Sequence, residues 1–142
     1  IAKKLPAVQP PTSWKSCYPA TVTKHGDVSL FIGCAINTFD NQTLKSAIYV
    51  LNQLGLDVHL PEQQTCCGSI ARQLGDAEEA QKLVQQNQSA FKNEQPIISV
   101  ASGCGAGLKD YLPQHKTTDI SAFLMSCDWS NINLKPLKEQ IY

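Results

Sequence analysis

Apolar positions along the chain concentrate in three short runs, separated by stretches in which apolar residues recur at spacings of three and four. Residues 1–27 stand apart from this pattern. Pro6, Pro10, Pro11 and Pro19 lie there among polar residues, and proline resists both helix and central strand, so an extended arm or linker is expected that wraps the domain or hangs loose. From Val28 the run Val-Ser-Leu-Phe-Ile-Gly-Cys34 suits a strand buried on both faces, with Cys34 at its end. Asp40 stands where a helix N-cap belongs; Leu44, Ala47, Ile48 and Leu51 follow at helical spacing, and Gly55 stops that helix. Leu56–Leu60 predicts a second strand closed by Pro61. A loop holding Cys66 and Cys67 comes next, then a helical turn around Ile70–Leu74. Asp76 caps a longer helix whose stripe is Ala80, Leu83, Val84, Asn87, Ala90 and Phe91. Asn87 is the polar member of that stripe, and a buried amide needs partners, so hydrogen bonding to nearby loop backbone is expected. Pro96 ends the helix zone and Ile97–Val100 predicts a third strand. A glycine-rich turn over residues 102–107 leads into a helix through Leu108 and Tyr111, and Thr118 or Asp119 caps a last one carrying Ile120, Phe123 and Leu124.

Short apolar strands alternating with amphipathic helices imply parallel pairing through right-handed crossovers. The expected fold is a three-layer α/β domain over residues 28–126, with a small parallel sheet of three or four strands. Residues 127–142 read as an irregular tail.

Composition narrows the function. Hydrophobic residues make up 42% of the 142 and charged residues 17%, which describes one ordinary globular domain. A chain this long folds without disulfides or metal, so a metal, where present, serves chemistry. Twelve basic residues balance twelve acidic ones, with Arg72 the single arginine, so the charged footprint that nucleic acid requires is missing. The longest nearly apolar stretch, Val28–Ile36, is far short of the roughly 20 residues of a transmembrane span. The six cysteines fall below the roughly 8–10% of a disulfide-built scaffold, which favours a reducing, cytoplasmic setting. The chain opens on Ile1 and reads as a piece of a longer protein.

The cysteines carry the chemistry. Cys34 closes the first predicted strand, Cys66 and Cys67 follow the second, and Cys104 follows the third. In a parallel sheet these positions share the carboxyl edge, where ligands of open α/β sheets bind. Helix N-termini face the same edge and favour thiolate, the form that binds metal or attacks disulfides. Cys17 and Cys127 lie outside this group and are not expected to be ligands. His59, at the end of the second strand, and His25 and His115, in loops, are likewise left out of it.

Phe31-Ile-Gly-Cys34, then Cys66-Cys67-Gly68, then Ala101-Ser-Gly-Cys104-Gly105 resembles the cysteine-rich CCG domain of heterodisulfide reductase B subunits and of iron–sulfur subunits of glycolate-, lactate- and glycerol-3-phosphate-oxidising systems. With Asp119-Ile-Ser-Ala-Phe-Leu124, the Ala-Ser-Gly-Cys-Gly form is most similar to the glycolate oxidase iron–sulfur subunit. The resemblance spans about Val28 to Leu124. It implies an iron–sulfur cluster that relays electrons from a flavoprotein (FAD) subunit, which oxidises a 2-hydroxy acid, towards a quinone. It also implies further domains of the same subunit: a ferredoxin-like segment before this region and a second CCG repeat after it. The expected location is the cytoplasm, or the inner face of the membrane through such partners.

The general pattern ends in Cys-x-x-Cys, and Ala101 takes the first of those positions here, which leaves four thiols rather than five. Four suffice for a 4Fe–4S cluster. Cys34, Cys66, Cys67 and Cys104 are then its ligands, and Gly33, Gly68, Gly103 and Gly105 let the backbone approach it. Adjacent cysteines fit different irons of one cluster better than one zinc ion, whose structural ligands are spaced by two or more residues. Two other readings of the same cysteines stay open: a thiol–disulfide redox site, and an interaction domain whose metal site has degenerated. The glycines also invite a nucleotide-binding reading. It fails because Leu108 stands where the third glycine of G-x-G-x-x-G belongs, and because the motif follows the third strand instead of the first.

Overall fold

The computed structural model describes residues 8–10 and 12–135. In chain order its elements are β1 (Cys17–Tyr18), β2 (Gly26–Phe31), α1 (Ala35–Phe39), α2 (Asn41–Gln53), β3 (Leu56–His59), α3 (Ser69–Gln73), α4 (Ala77–Ala90), β4 (Ile97–Ser99), α5 (Ser102–Tyr111), β5 (Thr117–Asp119) and α6 (Ile120–Met125). Pro6, Pro11 and residues 136–142 of the expected tail lie outside the described residues.

The strands form one sheet in the order β1-β3-β2-β4-β5. β3, β2, β4 and β5 run parallel, and β1 adds antiparallel at the edge with Cys17 opposite His59. The connection from β2 steps outward to β3, and the next one returns across β2 to β4. Strand order therefore reverses between β2 and β4, the place where open α/β sheets leave a crevice for ligands.

Alternation along β2 explains the three layers. Val28 and Leu30 face Leu44, Ala47, Ile48 and Leu51 of α2, and Ile120, Phe123 and Leu124 of α6 pack against this cluster. Phe31 faces the opposite way, onto Cys67, Phe91, Ile97, Leu108, Tyr111 and Leu112. Phe31 and Phe91 meet with ring centroids 6.1 Å apart. Each fully buried Leu or Phe in these layers contributes roughly 1.5–3 kcal/mol.

The three-layer parallel architecture agrees with the sequence, and three local expectations are corrected. The sheet gains β1, an edge strand supplied by the arm, to reach five strands. The first strand ends at Phe31, so Cys34 stands beyond it as the residue preceding the short helix α1. Residues 102–107 are helical, forming the start of α5. Each glycine there costs about 1 kcal/mol of helix propensity relative to alanine, and close packing offsets that cost at Gly105 and Gly107. A Cβ at Gly105 would sit 3.4 Å from Ser99 Cβ.

The described part of the arm is docked. Gln9 N–H donates to Thr38 O at 2.9 Å, Trp14 Nε1 donates to Asn37 Oδ1 at 2.8 Å, and Asn41 Nδ2 donates to Thr12 Oγ1 at 2.8 Å.

Candidate functional site

The four strand-edge cysteines meet where the strand order reverses. Cys34 precedes α1, Cys66 and Cys67 lie in the loop between β3 and α3, and Cys104 sits in the first turn of α5. Cys34 Sγ and Cys66 Sγ are 3.4 Å apart. Cys67 shares a hydrogen bond with Cys104, and its sulfur lies 3.2 Å from Ser69 Oγ. Cys17 on β1 and Cys127 after α6 stand apart from these four.

Local backbone shapes the edge. Gly33 and Gly68 adopt left-handed φ of 59° and 76°, a region that side chains with a Cβ avoid. A Cβ on Gly33 would stand 3.8 Å from Cys104 Sγ, so its absence leaves that sulfur room. The Gly68 and Ser69 backbone N–H groups turn toward Cys66 and Cys67, respectively. Of the other two glycines singled out, Gly105 packs on Ser99, and Gly103 has open space where a Cβ would be.

Two polar side chains hold the cysteine loop. Asn87 is fully buried on α4, accepts from Thr65 N–H at 2.9 Å and donates to Cys66 O at 2.9 Å, the loop-backbone role its place in the stripe predicts. Gln64 was not anticipated. Its Oε1 accepts from Ile32 N–H at 2.9 Å and its Nε2 donates to Leu30 O at 3.2 Å, tying the loop to the end of β2. A glutamine inside a polar loop gives no periodic signal, whereas an asparagine in an apolar stripe does.

The thiols differ in acidity. The Cys104 thiol beside it draws Cys67 down to about 5 against the opposing effect of burial, helped by the Ser69 hydroxyl and N–H. Its partner Cys104 is pushed up, first by that same shared bond and then by burial. Burial raises Cys66 to about 11. One proton is thus shared across the Cys67–Cys104 pair, and the edge as a whole resists carrying several negative charges with no cation present.

The donor set distinguishes between metals. A tetrahedral zinc ion with Zn–S bonds of ~2.3 Å needs sulfurs about 4 Å apart. Among the described residues, no three of the cysteine sulfurs lie within 4.8 Å of one another. The four thiols instead form two close pairs, Cys34 with Cys66 and Cys67 with Cys104, and with amide N–H groups directed at Cys66 and Cys67 they match the four-cysteine ligand count of an iron–sulfur cluster. The group that does meet the single-ion spacing is Asp27, Asp57 and His59, at the β2–β3 side of the sheet. Lys24 already supplies its cation, with Nζ 2.9 Å from a carboxylate oxygen of each aspartate. A cavity of about 650 Å³ lined by Val22, His25, Leu56, Phe123 and Cys127 includes none of the four strand-edge thiols, and its wall is mostly apolar. The converging sulfur donors that can carry chemistry are at the thiol edge and not in this cavity.

Comparison with known proteins agrees with this geometry. The model of a family described as a cysteine-rich domain, CCG, matches residues 28–109, which include all four thiols. The chain belongs to the CCG family. Among relatives of this cysteine-rich domain, Lactate utilization protein A of Geobacillus kaustophilus (strain HTA426) is 37% identical over 84 residues, 59% of this chain and 35% of that protein. Lactate utilization protein A 2 of Bacillus cereus (strain AH820) is 36% identical over the same shares. The B subunit of the fumarate reductase (CoM/CoB) of Methanothermobacter marburgensis is 30% identical over 118 residues, 80% of this chain and 24% of that protein. The CCG domain chain thus spans about a third or less of the length of these curated relatives. No solved structure matches it. No helix among the described residues is long and apolar enough to cross a membrane.

Proposed function

We propose that this CCG domain is an iron–sulfur electron-transfer module in which Cys34, Cys66, Cys67 and Cys104 hold a 4Fe–4S cluster. The observation that carries this reading is the convergence of four thiols, from three separate segments of the chain, on the reversal point of a parallel sheet. When bound, the cluster supplies a site that accepts and releases one electron. The protein's own residues do the rest. Asn87 and Gln64 fix the loop carrying Cys66 and Cys67, the Gly68 and Ser69 N–H groups offer hydrogen bonds to sulfur, and Phe31 and Tyr111 wall the site from beneath.

The relatives' names give this module its setting. Two are lactate utilization proteins and one is a reductase subunit, all much longer than this chain. The reading is therefore of one module in a larger cytoplasmic subunit. It works beside a flavoprotein (FAD) that oxidises a 2-hydroxy acid of the glycolate or lactate type, and it passes electrons towards a quinone. Gly33, Gly68, Gly103 and Gly105 are assigned to close backbone approach at the cluster.

A second reading, thiol–disulfide exchange, draws on the acid–base pairing of Cys67 with Cys104. It is the weaker one. The thiolate that forms most readily belongs to Cys67, which is 4% exposed, so the best nucleophile is the least reachable by a disulfide substrate.

Anaerobic reconstitution with iron and sulfide tests the proposal. Four irons and four sulfides per chain are expected, with an EPR signal on reduction. Single Cys→Ser changes at 34, 66, 67 and 104 are expected to remove or convert the cluster, while Cys17→Ser and Cys127→Ser leave it intact. A folded chain that takes up no iron, or four single variants with full iron content, would overturn it.

A further inference from the structure

Arg72 is the single arginine of the chain, and the fold holds it beside the thiol edge. It lies on α3, five residues after Cys67, with its guanidinium carbon 5.7 Å from the centroid of the Tyr111 ring on α5. Gly107 makes this position available: a Cβ there would stand 2.7 Å from Arg72 Nη2 and 3.0 Å from Ser69 Oγ. Any side chain at 107 would therefore collide with the guanidinium. The same Ser69 Oγ is 3.2 Å from Cys67 Sγ, so the notch at Gly107 is bordered both by the guanidinium and by the hydroxyl that touches this sulfur. Tyr111 feels the charges of Arg72, Cys67 and Cys104 together. Asp110, 3.9 Å from Arg72 Nη1, is 74% exposed against 37% for the Arg72 side chain, so water screens the counter-charge more than it screens the guanidinium.

Four thiolates around an iron–sulfur group carry net negative charge, and adding an electron makes it more negative. A fixed cation beside the thiol edge favours the reduced state. We propose that Arg72, stacked on Tyr111 in the notch left by Gly107, is a charge-tuning residue that raises the reduction potential of the group held by the four cysteines. This rests on the iron–sulfur reading above. It adds a function for a glycine in α5 that the helix does not otherwise need.

The test is a mediated dithionite titration of the reconstituted chain, followed by EPR, on protein whose iron and sulfide content has first been measured. Arg72→Gln is expected to keep full cluster content and to weaken the one-electron reduction equilibrium about tenfold, about 59 mV to the negative. Arg72→Lys, which keeps the charge, is expected to stay within about threefold of the parent. Gly107→Ala moves the cation without removing it, so it shifts the potential in the same direction and adds nothing in the Arg72→Gln background. A purely structural role for Arg72 does not produce that dependence. If Arg72→Gln has full iron and sulfide and an unchanged potential, the proposal is wrong. If the parent chain takes up no cluster, it is the iron–sulfur reading that fails instead.

Discussion

Asn87 has no exposed surface, and its side-chain amide joins three segments: it accepts from Thr65 N–H, donates to Cys66 O, and donates to the Tyr111 hydroxyl at 3.2 Å. Replacing it with leucine strands polar groups away from water, and each buried unsatisfied group costs about 1–3 kcal/mol. Asn87→Leu is therefore expected to lower the free energy of unfolding by about 3 kcal/mol in urea titration. A loss under about 1 kcal/mol would mean that water reaches the loop and replaces the amide. Asn87→Asp keeps the acceptor for Thr65 N–H but sets a carboxylate against the Cys66 carbonyl, so it is expected to restore only part of the loss. Asn87 was legible in the sequence because it breaks an apolar stripe. Arg72 and Gln64 were not, because nothing local distinguishes an arginine on a short polar helix or a glutamine in a polar loop until the fold shows what they touch.

The same distinction holds among the elements. α2 and α4 announce themselves through their stripes and through their caps: Asp40 Oδ1 accepts from Thr43 N–H at 3.2 Å, and Asp76 Oδ1 accepts from Glu79 N–H at 3.0 Å. Asp40→Ala and Asp76→Ala are each expected to cost about 1 kcal/mol, with Asn at either position recovering most of it, as equilibrium denaturation would show. No loss in either alanine variant would mean that these helix ends are held by packing alone. The first half of α5 reads as a turn because Gly103, Gly105 and Gly107 carry the propensity of one; what favours glycine there is tertiary, the packing of Gly105 on Ser99 of β4 and of Gly107 on Arg72 and Ser69 of α3. β1 and β5 escaped for a different reason. Two- and three-residue strands of mixed polarity, Cys-Tyr and Thr-Thr-Asp, have no periodicity to detect, and the parallel or antiparallel neighbour alone defines them.

At the scale of the molecule, topology made the thiol edge legible: once three buried strands run parallel, residues beyond their carboxyl ends gather on one side. How the arm is held could not be read that way, since its anchors, single polar contacts together with the packing of Trp14 and Tyr18 on the core, have no periodic trace in the sequence. One of them is electrostatic and sets a pH dependence. Lys24, just before β2, bonds both Asp27 and Asp57 at 2.9 Å, Ala20 N–H donates to Asp57 at 2.7 Å, and His59 lies 2.8 Å from Asp27. The bond with His59 and then that with Lys24 hold Asp27 below the usual carboxylate range, and Lys24 with the Ala20 N–H does the same for Asp57. A carboxylate whose folded pKa is depressed adds stability that is complete above its unfolded value, 3.8 here, and is lost as pH falls through the lower folded value. The latch is thus intact at neutral pH and fails below about pH 4. Cys17, opposite His59 and held above the ordinary thiol range by burial and then by the two aspartates, stays a neutral thiol across that window. As pH is lowered from about 5 towards about 2, the β1 amides are expected to lose hydrogen-exchange protection before those of β2 and β4. Lys24→Met is expected to loosen β1 already at neutral pH and to flatten its pH dependence. Simultaneous loss of protection in β1, β2 and β4 at one pH would show instead that the arm unfolds only with the sheet, and that the aspartates do not govern it.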